Sequence, residues 1–347
     1  MQGRKTRHLL SIQRQFALNI TQAYRTTATS ALNVLAGLVP LHISTEREAV
    51  FQQVKQLRTP ATLEDIAYWP DDYEKSINIL ERHPATQGDN CDTVKVTLRQ
   101  QIERMQMHTT YYYTDGSKMD DNVGCALVAF RNHQEISHWK GHLHGNNSVF
   151  QGEALAIHKA VKQIAEQKLY NTIIVSDSMS ALQAIENTMH TSALIHDIQS
   201  LLRDTIHLNT RLAWTKAHAG NIGNEKADLL AKDAALNKEA EALTVPWPHS
   251  TLKRKLHLQA QSVWQAEWDA AHTGRRTHCH LLYVNPARLY SNPHMVRYIT
   301  GHGTISGVLC EARYRQNRPL QLRPPRYSGT LRHRVSNYKR TAYPYSH

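Results

Sequence analysis

The chain has 347 residues, room for one or two domains with a sizeable core, and 41% of them are hydrophobic. Its 41 Lys/Arg outweigh 29 Asp/Glu, a formal charge of +12 that points to a polyanionic partner. Cys91, Cys125, Cys279 and Cys310 form no Cys-x-x-Cys pair, which argues against a zinc module or a disulfide framework. No secretory h-region and no membrane-spanning apolar run is found, so a soluble, intracellular protein without a membrane partner is expected. The sparse basic residues leave nuclear or cytoplasmic residence open.

Residues 1–60 read as helices, with an apolar stripe through Leu9, Ile12, Phe16 and Ile20. Residues 61–108 read as a linker containing Pro70, Pro84 and the polar run Thr86–Asn90. Residues 109–238 form the best-defined unit. Strands are expected at Thr109–Thr114, Gly124–Arg131 and Glu135–Lys140, followed by a helix at Val149–Gln167. A short apolar strand, Thr172–Ser176, suits the middle of a sheet. Helices at Ser178–Asn187 and Ala193–His207, a strand at Thr210–Thr215 and a helix at Asn221–Asn237 complete the unit. The order β-β-β-α-β-α-α-β-α implies an α/β fold, a five-stranded mixed sheet flanked by helices. Residues 239–274 read as a helical extension centred on Leu252–Trp268. Residues 275–347 hold 13 Lys/Arg against one acid, Glu311, and read as a poorly ordered basic tail. The rest of the chain is electrically balanced.

Four acids occupy distinctive places in the central unit. Asp115 ends the first strand before Gly116-Ser117, and Asp177 ends the fourth. Glu153 opens the long helix, and Asp228 lies on the last one. Strands of one sheet run about 4.8 Å apart, so acids at neighbouring strand ends can converge. Clustered carboxylates need counter-charge, and oxygen-only ligands suit two Mg²⁺ ions, with Mn²⁺ as a substitute. That arrangement serves in-line phosphoryl displacement. His218, on the Gly-rich loop before Asp228, is a candidate proton shuttle. Ser117 and Asn147 are candidate contacts to nucleic acid, with turn chemistry as the competing account. Trp139 and Trp214 occur in strand patterns and read as core. The tail arginines, interleaved with Tyr314, Tyr327, Tyr338, Tyr343 and Tyr345, could grip phosphates and stack on bases, or form a solvated end.

Tyr113-Thr114-Asp115-Gly116-Ser117, Gly152–Ile157, Val175-Ser176-Asp177-Ser178 and Gly220–Asp228 resemble the motifs of ribonuclease H type 1, most closely the domain at the end of non-LTR retrotransposon polyproteins. The resemblance covers residues 109–238. It implies a ribonuclease H-like fold and Mg²⁺-dependent cleavage of the RNA strand of RNA–DNA hybrids. It also implies Asp115, Glu153, Asp177 and Asp228 as metal ligands, His218 as auxiliary histidine, and Gly116, Ser117, Asn147 and Asn224 as substrate contacts. No obligate protein partner is inferred. Residues 4–50 resemble the segment after a reverse transcriptase domain, although no Tyr-x-Asp-Asp occurs. Thr300–Gly303 resembles the approach to a zinc knuckle, but Cys310 lacks partners. The chain is therefore expected to be a fragment of a mobile-element polyprotein. The competing expectation is a catalytically idle nucleic-acid-binding remnant.

Overall fold

The computed structural model describes residues 2–77, 96–98, 109–120, 122–217, 220–237 and 240–302. Two compact units emerge, one of residues 1–10 and 39–270, the other of 11–38 and 271–347.

The first unit is built on a mixed sheet. Strands β4 (Thr110–Met119), β5 (Asn122–Arg131) and β6 (Gln134–His144) form an antiparallel meander. Strand β7 (Thr172–Ser176) runs parallel to β4, and β8 (Arg211–Trp214) runs parallel to β7. These are the five expected strands. Two short ones extend the edges: β3 (Val96–Leu98) pairs with β8 and β9 (Glu241–Ala242) pairs with β6, so the sheet has seven strands. Three-residue and two-residue segments carry too little periodicity to be read from sequence. Strand β4 is also longer than expected. Asp115 lies inside it, opposite Ala126 of β5, because the meander continues pairing to Met119.

Alternation along the strands sorts the two faces. Tyr112, Leu127, Ile174 and Leu212 face helices α4 (Val149–Gln167), α5 (Met179–Glu186) and α6 (Ala193–Asp204) in the main core. Tyr111, Tyr113, Ile173, Val175 and Ala213 group on the other face. There α7 (Ile222–Leu236) lies so close that Gly223 meets the Tyr113 ring. At Gly124 a Cβ would fall 1.9 Å from the Ala231 carbonyl oxygen of α7. Trp139 and Trp214 pack partly buried against the main core, as their strand positions suggested.

Residues 61–77 differ from the expected linker. Strands β1 (Ala61–Leu63) and β2 (Ile66–Tyr68) make an antiparallel hairpin. Its Ala61, Leu63 and Tyr68 pack with Val50 and Val54 of α3 (Leu41–Lys55) and Leu252 and Leu256 of α8 (His249–Ala270). Three-residue strands closed by a Glu64 turn at positive φ give no periodic signal. The remainder of the expected linker, apart from β3, lies outside the described residues.

In the second unit, α2 (Thr29–Ala36) follows the end of α1 (Gln2–Thr21). Gly37 adopts a left-handed φ of 65°, and a Cβ there would meet the Arg288 carbonyl oxygen at 2.2 Å. The Tyr290 amide donates to the Leu35 carbonyl. Residues 275–302 are not the unstructured segment expected, since α9 (Arg275–His280) and α10 (Pro293–Thr300) form there. Pro293 at the first helical position, the Asn292 side-chain cap and Gly301 beyond the end punctuate α10. A burial pattern carried by Val296, Ile299 and Thr300 is too short to stand out from the basic composition around it. The expected tail beyond 302 lies outside the described residues. No helix among the described residues is long and apolar enough to cross a membrane.

Close approach of α7 to β5 requires position 124 to lack a side chain. Gly124→Ala should lower the unfolding free energy by about 1–3 kcal/mol in urea titration, because backbone atoms cannot yield cheaply. Gly3→Ala, in open space, should cost nothing. An unchanged midpoint for Gly124→Ala would contradict this packing.

Candidate active site

Parallel pairing brings Thr114 of β4 beside Ser176 of β7. One residue further on, Asp115 and Asp177 leave the pair together. Asp115 shares the face of Tyr111 and Tyr113, the face that α7 covers, and α7 carries Asp228. Glu153 arrives from the other side on the second turn of α4. Its approach depends on Gly116, where a Cβ would sit 2.6 Å from the Glu153 nitrogen and 2.8 Å from its Cγ. The α4 start is set by a capping box: Ser148 Oγ accepts from the Gln151 amide at 3.2 Å, and Gln151 Oε1 accepts from the Ser148 amide at 3.3 Å.

Each acid is held differently. Asp115 is only 7% exposed, and its Oδ1 accepts from the Gly116 amide at 2.7 Å. Glu153 Oε2 accepts from Ser178 Oγ at 2.5 Å. Ser178 also caps α5, accepting from the Ala181 amide. Asp177 Oδ2 accepts from the Asn224 amide at 3.0 Å, while its carbonyl accepts from Trp214 Nε1 at 3.1 Å. Asp228 Oδ2 pairs with Lys232 Nζ at 2.7 Å, one turn along α7.

The four acids share one electrostatic field. Burial pushes the Asp115 carboxyl up to about 8, and the charges of Asp177, Asp228 and Glu153 push the same way against the Gly116 hydrogen bond. Glu153 is raised too, first by burial and also by Asp177, with the Ser178 bond opposing. Lys232 is raised by its bond to Asp228, and the Asp115 charge reaches it as well. Among the described residues no three His, Cys, Asp or Glu side chains are drawn into a ready metal cage. The donor set nevertheless fits a hard divalent cation: four carboxylates, enclosed, mutually repelling and with oxygen as the only donor atom. Lys232, Asn224 and Ser178 meet part of that charge in the chain as it stands.

The other expected site residues scatter in role. Gly116 packs against Glu153. Ser117, half-buried, shares the Asp115 face of β4. Asn224 is 3% exposed, and its Oδ1 has no hydrogen-bond partner. Asn147 is 2% exposed and spends its amide on Gln151 Oε1 and the Val245 carbonyl, both at 3.0 Å, so the structure shows it fastening the α4 entrance to residues 245–246. His218 lies outside the described residues. Sequence reasoning missed Ser178 and Lys232 as members of the site. The i,i+4 relation of Asp228 and Lys232 was a usable signal. The Ser178–Glu153 bond, between elements 25 residues apart, was not.

The RNase H family model matches residues 107–236. Three solved structures are similar over that region. RNase H1 from Halobacterium salinarum is 16% identical with a TM-score of 0.30, covering 36% of this chain and 96% of its own. The N-terminal RNase H domain of a Mycobacterium tuberculosis protein, solved as a fusion with maltose binding protein, is 13% identical at 0.31, covering 37% and 94%. Prototype foamy virus protease–reverse transcriptase is 19% identical at 0.32, covering 38% of this chain and 21% of its own. A search among curated proteins finds no match. The sheet and helices of residues 107–236 have the ribonuclease H-like α/β fold.

A carboxyl with a raised folded pKa favours the fold while protonated in both states, and that advantage fades as pH rises towards the folded value. In EDTA, Asp115→Asn should therefore match the parent near pH 4 and become progressively more stable between pH 4 and 8, then level off. Thermal unfolding across that range checks the sign; a variant less stable than the parent at pH 8 would contradict the burial and repulsion described.

Proposed function

We propose that residues 109–238 hydrolyse the RNA strand of RNA–DNA hybrids. The observation that carries this reading is the shared field of Asp115, Glu153, Asp177 and Asp228, with Asp115 enclosed and its carboxyl pushed to about 8. The family match over the same segment supports it. The four carboxylates would hold two Mg²⁺, or Mn²⁺ in their place. When bound, the two cations supply Lewis acidity for an in-line displacement at phosphorus, leaving 3′-hydroxyl and 5′-phosphate ends.

The chain's own residues set the stage for that reaction. Ser178 fixes the Glu153 carboxylate, and the Asn224 amide fixes that of Asp177. Lys232 balances Asp228. Asn224 also keeps a buried carbonyl oxygen without a partner, free to accept from a sugar hydroxyl. In an A-form-like hybrid the 2′-hydroxyls line the wide minor groove and mark the RNA strand. Gly116 and Ser117 complete that contact surface, and Asn147 supports it from behind. His218 moves a proton as product leaves. Likeness of the flanks to the segment after a reverse transcriptase domain supports a non-LTR retrotransposon source.

With a strand-labelled hybrid, the full chain in Mg²⁺ should cut only the RNA. EDTA should stop it, and Asp177→Asn should slow it on the order of a thousandfold, several kcal/mol of lost transition-state stabilisation. A folded chain that binds hybrid but cuts neither strand in Mg²⁺ or Mn²⁺ would sink the enzyme reading and leave the binding remnant.

A further inference from the structure

Charge divides between the two compact units. Residues 1–10 and 39–270, which carry the acid cluster, hold 26 Lys/Arg against 28 Asp/Glu. Residues 11–38 and 271–347 hold 15 Lys/Arg against Glu311 alone. The unit with the carboxylate site is thus slightly acidic, a poor surface for a polyanion. The second unit carries the whole positive excess. Its described part, residues 11–38 and 271–302, contains Arg14, Arg25, Arg275, Arg276, Arg288 and Arg297, five histidines and no acid.

Some of these arginines are structural. Arg14 donates to Thr29 Oγ1 at 2.8 Å and to the Arg25 carbonyl. Arg288 donates to the Tyr283 carbonyl at 2.8 Å, and Arg297 lies 5.0 Å from the centre of the Tyr24 ring. The side chains of Arg25, Arg275 and Arg276 are exposed. Beside them the unit shows apolar and aromatic surface: Tyr283 is 75% exposed and Tyr24 42%. With no carboxylate to pair with, the exposed guanidinium groups keep their charge uncompensated inside the unit. Such groups together with open aromatic faces suit a phosphate backbone and its bases.

We propose that the acid-free helical unit is a nucleic-acid-binding body that grips the phosphate backbone through Arg25, Arg275 and Arg276 and supplies the affinity that the acidic, carboxylate-bearing unit lacks. Only the choice of nucleic acid as the polyanion rests on the nuclease reading above. Binding here needs neither the four carboxylates nor a divalent cation.

The test uses the full chain carrying Asp177→Asn, in EDTA, with a fluorescent RNA–DNA hybrid and anisotropy as readout across a salt series. Substituting Arg25, Arg275 and Arg276 together by Gln should weaken binding at least about tenfold and make the slope of log K against log salt shallower by about 2–3, one counterion per lost phosphate contact. The same three positions changed to Lys should keep the slope, which separates charge from a folding defect; unchanged thermal unfolding of the Gln variant confirms the separation. Equal affinity and slope for parent and Gln variant would overturn the proposal. So would binding to phosphatidylserine vesicles without binding to hybrid. RNA cleavage by the unmutated site is scored in a separate Mg²⁺ arm, so a failure of catalysis and a failure of this binding surface are read independently.

Discussion

Asp115 is a carboxylate cut off from water and surrounded by three others, and much of the first unit's geometry answers to that one repulsive arrangement. Enclosing an ionised group costs several kcal/mol unless counter-charge or hydrogen bonds meet it. The chain meets it in part. Gly116 gives Asp115 a backbone amide, Ser178 gives Glu153 a hydroxyl, Asn224 gives Asp177 an amide and Lys232 gives Asp228 a cation. None of these gifts is large enough to let all four ionise, which is why the Asp115 carboxyl keeps its proton to about 8. Bringing the acids together also dictates where side chains must be missing. Gly116 admits Glu153, Gly124 admits α7, and Gly223 admits the Tyr113 ring. Close approach of helix to sheet and convergence of charge are therefore one design feature seen from two sides.

The parts of the chain legible in its sequence were those with long periodic signals. Helix α4 was bounded at Val149 and Gln167 from its apolar spacing alone, and α7 to within a residue. The β-β-β-α-β-α-α-β-α order followed from alternation and turn residues. What escaped lacked length or relied on contacts distant in sequence. The hairpin β1–β2 and edge strands β3 and β9 are two or three residues each. The positions of α9 and α10 were masked by a basic, proline-containing composition that reads as disorder when burial is unknown. The four acids could be picked out because each sits beside a strand end or a helix start with its own local pattern. Ser178 could be named as a helix cap, but its hydroxyl reaching Glu153 is a tertiary fact.

Placement of charge adds a second level of organisation. A site built from repelling carboxylates makes its own unit unattractive to phosphate, and the segments with no acids make the other unit attractive to it. Separating the two properties lets the site stay acidic enough to call for divalent cations while affinity for a polyanion comes from elsewhere. Because such affinity is largely counterion release, it is tunable by arginine number without touching the carboxylates.

The most direct measurement is calorimetric titration of the full chain with Mn²⁺ at pH 7 in two buffers of different ionisation enthalpy. A cation entering among the four acids must displace the proton that Asp115 keeps, so binding should release about one proton, and Asp115→Asn should abolish that release. Absence of Mn²⁺ binding, or binding with no proton release in the parent chain, would contradict a shared, protonated carboxylate site.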